Sequence, residues 1–130
     1  MSGLFDTIGI SGTALTVNRK WMDAIADNVS NANDVVPGDQ PAFAQRYVQV
    51  QAVPGGGVEV VGIRYGSNAG ILSYDPANPL ADARGYVRHA DVDMVSQMTQ
   101  MIMAQRSYEA NLSLITRATD AYKQALQLGK

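Results

Sequence analysis

The residues whose types could support chemistry are few. His89 is the only histidine, and Asp91 and Asp93 follow it closely. A catalytic histidine needs a nucleophile or a carboxylate held nearby, and a histidine-based metal site usually needs more than one histidine. We therefore interpret His89 as a polar loop residue, with Asp91 or Asp93 capping a helix behind it.

Two further groups of residues have types that could bind a calcium ion or a phosphate, but their spacing matches neither kind of site. Asp75, Asp82, Asp91 and Asp93 do not match a calcium-binding loop, and turn or cap roles explain them. Pro54–Gly57 lacks the Lys-Ser/Thr pair of a phosphate loop. There is no cysteine, which excludes disulfides and thiolate chemistry. We predict no catalytic residue, no metal ligand and no cofactor, and a protein that is not an enzyme.

The composition restricts the partners. The chain has 130 residues, is 46% hydrophobic and carries a formal charge of -2. This size fits one small domain with long appendages, and the slightly acidic charge argues against nucleic-acid binding. No apolar run is long enough to span a bilayer, so we expect no membrane insertion. The first 20 residues do not resemble a cleaved secretory signal.

The N-terminal segment has a helical stripe. Six of eight positions spaced alternately by four and three are apolar between residues 4 and 29, with Ser11 and Asn18 as the exceptions. This spacing is typical of a helix that packs lengthwise on another helix. Its apolar members are Leu4, Ile8, Leu15, Met22, Ile25 and Val29.

A longer stripe occupies the C-terminal segment, and Gly129 is placed to end its helix. The 12 residues 94–105 contain no charge, and further apolar residues lie off the stripe. A helix that is apolar or uncharged around most of its circumference is normally buried from several sides, which requires neighbouring chains. The stripe reads Met94, Met98, Met101, Gln105, Tyr108, Leu112, Ile115, Thr119, Tyr122 and Leu126.

Between the helices the period changes to two. Residues 47–53 and 58–65 alternate around a Pro-Gly-Gly-Gly loop, which predicts a β-hairpin, and residues 70–74 suggest a third strand. Residues 28–42 and 74–87 are predicted as loops. We predict a mainly α fold with a small β module, in which the long terminal helices form a coiled-coil-like pair. Its parts are the N-terminal helix 1–33, the loop and β module 34–90, and the C-terminal helix 91–130.

Three segments resemble a known family. Residues 24–33, followed by Pro37-Gly38, resemble the Asn-rich N-terminal signature of bacterial flagellar rod and hook axial proteins. Residues 74–87 and 106–111 are similar to the C type of proximal-rod protein within that family. The residues that carry the likeness are Asn28, Asn31, Asn33, Pro37, Gly38, Tyr74, Asp75, Pro76, Gly85, Tyr86, Tyr108, Glu109 and Asn111.

The resemblance implies a structural role in the flagellar basal body. It implies terminal helices that form an inner tube within the periplasmic rod, the drive shaft of the flagellum. It also implies export by the flagellar type III apparatus without a cleaved signal. The implied neighbours are copies of the chain, other rod proteins, the adaptor protein between the rod and the MS-ring, and the MS-ring.

We expect the assembly interface to use the two stripes. Its residues are Leu4, Ile8, Leu15, Met22, Ile25, Val29, Met98, Met101, Tyr108, Leu112, Ile115, Tyr122 and Leu126. The alternative function is a free-standing helical adaptor or secretion chaperone, which would be stable as a monomer or a discrete dimer.

Overall fold

The computed structural model describes residues 2–129. It has one long helix before and one long helix after five short strands. This order confirms the predicted mainly α fold with a small β module between the terminal helices. The elements are α1 (Ser2–Ser30), β1 (Val35–Pro37), β2 (Arg46–Ala52), β3 (Val58–Tyr65), β4 (Ile71–Tyr74), β5 (Tyr86–His89) and α2 (Met94–Leu128).

The packing divides the chain into two units, and each helix contributes to both. The first unit contains the described residues of 1–22, 48–62 and 101–130, and the second contains 23–47 and 63–100. Neither α1 nor α2 is long and apolar enough to cross a membrane.

The start of α2 is set by a carboxylate. The Asp93 side chain accepts a hydrogen bond from the Val95 backbone N–H at 3.1 Å, and the Asp93 carbonyl accepts the first helical bond from Gln97 at 3.0 Å. This is the geometry of an N-cap, so Asp93 and not Asp91 caps the helix. At the other end the Gly129 N–H donates to the Ala125 carbonyl at 3.1 Å, and α2 ends at Leu128, as expected.

The second unit contains a three-stranded antiparallel sheet in the order β1-β5-β4. Val36 pairs with Arg88, and Ser73 pairs with Val87, which is fully buried. The predicted third strand, β4, is confirmed. The assignment of residues 28–42 and 74–87 to loops was wrong for β1 and for the start of β5. Both strands are only three or four residues long, which is too short for a period of two to be recognised in the sequence.

The predicted hairpin is confirmed as a two-stranded sheet of β2 and β3. Its turn is closed by the Val53 N–H, which donates to the Gly57 carbonyl at 3.0 Å. Gly55, Gly56 and Gly57 all have positive φ angles, between 92° and 117°, which side chains disfavour. The run of three glycines therefore has a conformational cause.

Replacement of Asp93 by alanine tests the cap. We expect Asp93→Ala to lower the free energy of unfolding by about 1 kcal/mol, because the Val95 N–H loses its acceptor. Asp91→Ala removes the same charge from an exposed position two residues earlier and should change it by less than about 0.5 kcal/mol. Urea denaturation of both variants measures the difference, and equal effects would contradict the assignment.

Candidate assembly interface

Small and polar side chains line the contact between the two helices in the first unit. The Asn18 amide donates to the Ser107 hydroxyl at 3.0 Å, and the Phe5 and Tyr122 rings meet edge to face at 5.3 Å. An early residue of α1 thus contacts a late residue of α2, and a later one contacts an earlier one, so the two helices are antiparallel. The buried residues of this seam are Ser11, Asn18, Ala104 and Ala118, all less than 9% exposed.

The seam does not coincide with the predicted stripe of α2. Ala104, Asn111 and Ala118 are spaced by seven, and each stripe residue Leu112 or Thr119 lies one position further along the helix. One position is about 100° of rotation, so Leu112 turns away from α1 and is 45% exposed. Part of the apolar stripe therefore stays exposed to solvent within residues 2–129.

The thirteen expected interface residues fall into three groups. Ile25 is buried within the chain. Met98, Leu112 and Leu126 are exposed, at 56%, 45% and 49%. The remainder are half-buried beside the helix contacts, namely Leu4, Ile8, Leu15, Met22, Val29, Met101, Tyr108, Ile115 and Tyr122.

Asn28 is the centre of the second unit. Its side-chain amide nitrogen donates to the Arg46 carbonyl at 3.0 Å and to the Gln97 side-chain oxygen at 2.9 Å. Its side-chain oxygen accepts from the Arg46 N–H at 2.8 Å. Asn28 and Gln97 are each only 1% exposed. One motif residue thus joins the end of α1, the start of β2 and the first turns of α2.

The neighbours of Asn28 hold the end of α1. Asp27 forms an ion pair with Arg46, and its carbonyl accepts from the Asn31 side chain at 2.9 Å. The same carbonyl also accepts the helical bond from the Asn31 backbone N–H at 3.2 Å, so the Asn31 side chain adds a second bond at the last turn of α1. Asn31 is half-buried, whereas Asn33 is exposed. The Asn-rich motif therefore terminates the helix with Asn31 and anchors it with Asn28.

Pro37-Gly38 joins β1 to the rest of its sheet. The Gly38 N–H donates to the Tyr86 carbonyl at 3.0 Å, and the Gly38 carbonyl accepts from the Arg88 guanidinium at 2.6 Å and 3.2 Å. A Cβ atom on residue 38 would lie 2.7 Å from Cβ of Tyr86, which is too close for any side chain. The glycine of the motif is therefore required by a backbone approach.

The segment from Tyr74 to Tyr86 closes on itself between β4 and β5. The two tyrosine rings meet edge to face at 5.1 Å, and the Asp75 N–H donates to the Gly85 carbonyl at 2.9 Å. Gly85 has a φ of 86°, and a Cβ atom there would lie 2.9 Å from the Tyr74 ring and 3.1 Å from Pro76. The motif residues of this segment shape a turn.

Asp82 holds the far end of this turn. Its side-chain oxygen Oδ1 accepts from the backbone N–H groups of Tyr86 and Arg84, each at 2.9 Å. The Tyr86 N–H is the main cause that lowers the pKa of Asp82, partial burial opposes it, and Arg84 adds to it. The ionised carboxylate is therefore part of the folded turn.

The third motif segment, residues 106–111, lies on α2 and has both half-buried and exposed residues. Asn111 donates to the Ser107 carbonyl at 2.8 Å, and Tyr108 is half-buried. Glu109 is exposed.

Hydrophobic periodicity missed two anchoring residues. Gln97 and Arg88 hold the Asn28 and Gly38 contacts, and both are polar residues that apolar patterns cannot find. His89 is half-buried on β5 opposite Val35 and Ile71. Among residues 2–129, no group of three His, Cys, Asp or Glu side chains is arranged to hold a metal ion.

Comparison with known proteins adds independent information. A family model described as the C-terminal part of flagellar basal body rod FlgEFG proteins matches residues 83–128. The chain is similar to flagellar basal-body rod protein FlgC of Escherichia coli O157:H7, with 38% identity over 98% of each chain. The FlgC proteins of Salmonella typhimurium and Bacillus subtilis strain 168 are 38% and 29% identical, over at least 97% of each chain.

Loss of the Asn28 side-chain bonds should be costly. We expect Asn28→Leu to lower the free energy of unfolding by about 3 kcal/mol, because it strands both backbone groups of Arg46 and the Gln97 oxygen. Asn31→Leu removes an asparagine that bonds only within its own helix end and Ser30 and should cost less than about 1 kcal/mol. Thermal and urea unfolding distinguish the two. Similar losses would show that Asn28 is not an anchor.

The Asp82 carboxylate predicts an acid-sensitive turn. Because its pKa is lowered on folding, the folded chain binds this proton more weakly than the unfolded chain. The stabilisation is present above the ordinary carboxyl pKa and is lost as the pH falls through the folded pKa. The stability difference between wild type and Asp82→Asn should therefore shrink from about pH 7 to about pH 3. Asp39→Asn, at an exposed position, is the control, and a pH-independent difference for Asp82→Asn would refute the prediction.

Proposed function

The chain belongs to the FlgC family of flagellar basal-body rod proteins, and from this premise we propose how its structure serves the rod. The protein is a structural subunit of the flagellar proximal rod. It assembles with copies of itself and with other axial proteins through its terminal helices, and the assembled shaft transmits torque. No reaction is part of this role.

The observation that carries the proposal is the exposed part of the α2 stripe. Met98, Leu112 and Leu126 are large apolar side chains that remain 45–56% exposed although both long helices are formed. Complete burial of such a side chain stabilises by about 1.5–3 kcal/mol, so covering the exposed halves of three contributes roughly 3 kcal/mol per subunit. Many subunits that each add this amount stabilise a shaft without any single strong contact.

A shaft also needs subunits that do not bend at the joints of their elements. In the second unit, Asn28 bonds to β2 and α2 at once, and the buried Gln97 completes the contact. Buried polar contacts of this kind are satisfied in one arrangement only. Torque then passes through the helices and spreads over many shallow apolar contacts between neighbouring subunits.

The finer details of the role follow the resemblance to rod proteins. We propose that the neighbours include other rod proteins, the adaptor protein between rod and MS-ring, and the MS-ring itself. We place the subunit in the periplasmic part of the basal body and propose that it is exported by the flagellar type III apparatus. Co-purification of crosslinked basal bodies tests the neighbours.

Replacement of Leu112 by aspartate tests the interface. The side chain is 45% exposed in the single chain, so we expect Leu112→Asp to remain folded by circular dichroism. In the rod it would bury an unpaired carboxylate, at a cost of several kcal/mol. We therefore expect a strain that makes the protein but does not swim and assembles no rod.

The matched control is Ser113→Asp, which adds the same charge at the next, exposed position and keeps the stripe intact. We expect this strain to swim. Normal swimming by the Leu112→Asp strain would refute the interface at that residue. Sedimentation of concentrated protein tests the adaptor or chaperone alternative, which predicts a discrete monomer or dimer, whereas a rod subunit forms larger assemblies.

A further inference from the structure

The strand β4 forms one edge of the sheet in the second unit. In the order β1-β5-β4, it has β5 on one side only. The Asp75 N–H donates to the Gly85 carbonyl at 2.9 Å, in the same register that pairs Ser73 with Val87. Antiparallel strands exchange hydrogen bonds through every second residue. The backbone groups of Ser73 therefore face β5, whereas those of residues 72 and 74 face away from the sheet.

The bonds between β1 and β5 give the same assignment. The Gly38 N–H donates to the Tyr86 carbonyl at 3.0 Å, and the Ala90 N–H donates to the Asp34 carbonyl at 3.1 Å. The even-numbered residues of β5 therefore bond to β1, which leaves its odd-numbered residues for β4. Because odd-numbered residues of β5 lie opposite odd-numbered residues of β4, the even-numbered residues of β4 have no partner strand.

The two edges of this sheet differ in how they are protected. On β1, Pro37 occupies an outward-facing position, where a proline has no N–H to donate. The strand β4 contains neither proline nor charge, and its side chains Ile71, Leu72 and Tyr74 are 54%, 47% and 65% exposed. Within residues 2–129, no loop or side chain is hydrogen-bonded to the backbone of Leu72 or Tyr74. An edge of this kind is a template for another strand.

We propose that β4 pairs antiparallel with β4 of a second copy of the chain. In one register, Leu72 of each copy lies opposite Tyr74 of the other, and Ser73 lies opposite Ser73. The two Leu72–Tyr74 pairs then exchange four N–H···O bonds, which satisfies all the outward-facing N–H and carbonyl groups of both strands. The same register places an apolar side chain beside an aromatic one on each side of the two-fold axis, which is a favourable cross-strand pair.

The pair is closed and weak. The same surface is used on both copies, so the contact ends at two, whereas a growing shaft needs contacts between different surfaces. A four-residue strand also covers far less than the about 800 Å² per partner of a stable interface. The β4 pair therefore belongs to subunits outside the shaft, covers their open edge and separates readily on incorporation. Only this last consequence rests on the proposed function.

Cysteine crosslinking of the purified full chain tests the pairing. The chain has no cysteine, so each introduced thiol is unique. In the proposed register the two Ser73 Cα atoms lie about 4.5 Å apart, within the range of about 4.4–6.8 Å that a disulfide spans. Under mild oxidation we expect Ser73→Cys to crosslink at least about tenfold faster than Ser67→Cys. Ser67 is the control, because it precedes β4 and is exposed, whereas Ser73 is half-buried.

Variants of Leu72 block the edge without touching β5. Leu72→Pro removes only the outward N–H, as Pro37 does on β1, so the crosslinking rate of Ser73→Cys should fall about tenfold because the pair loses two of its four bonds. Leu72→Lys keeps the backbone and places a charge on the edge, which should also slow crosslinking. Leu80→Lys is the matched control, since Leu80 is equally exposed at 47% but lies in the turn after β4. Circular dichroism checks that each variant is folded.

Two results would overturn the pairing: crosslinking of Ser73→Cys that is no faster than that of Ser67→Cys, and equal effects of Leu72→Lys and Leu80→Lys. Sedimentation of the same samples separates this proposal from the proposed function. Larger assemblies without the Ser73 crosslink would retain the rod role and remove the pair. Crosslinked pairs that never form larger assemblies would retain the pair and remove the rod role.

Discussion

Asn28 imposes the constraint on which the second unit depends. A buried amide must place all its hydrogen bonds or lose more than the bonds would have gained. Asn28 bonds to both backbone groups of Arg46 and to the buried side chain of Gln97. The end of α1, the start of β2 and the first turns of α2 are therefore fixed together at one residue. Asn28 thereby fixes where the chain leaves α1. The Asn31 side chain, which donates to the Asp27 carbonyl, adds a bond at the same end of the helix.

The contact between the helices in the first unit buries small and polar side chains and few large apolar ones. Ser11, Asn18, Ala104 and Ala118 occupy the buried positions between the helices, although larger apolar residues stand next to them in the chain. Small and polar residues let two helices approach closely and pair specifically while they bury little apolar area. The larger side chains remain available for neighbouring subunits. A subunit with a fully apolar internal seam would be more stable alone and would have less to gain from assembly.

Much of this architecture could be predicted from the sequence, and the failures have a common cause. The alternation of four and three predicted both helices, and the period of two predicted β2 and β3, because these elements are long enough for their period to show in the sequence. β1 and the start of β5 escaped notice because they are short and are held by pairing. The anchors Gln97 and Arg88 could not be found by hydrophobic periodicity, since their burial depends on hydrogen bonds to distant residues. The sequence shows the apolar stripe of α2, but it does not show which side of α2 faces α1. That orientation depends on the contact between Asn18 and Ser107.

The glycines differ in how closely other atoms surround them. A Cβ atom on Gly38 or Gly70 would lie 2.3–3.2 Å from backbone and side-chain atoms, so each glycine marks a place where the fold is tightly packed. A Cβ atom on Gly9 or Gly12 would meet nothing within 4 Å, so each of these glycines lowers the helix propensity of α1 without a close contact that requires it. Both glycines lie in the first three turns of α1, whereas the last turns of the same helix are anchored at Asn28. A helix that is anchored in its last turns and weakened by glycine in its first turns can adjust its beginning to a neighbouring subunit at a smaller cost, while Asn28 keeps its end in place.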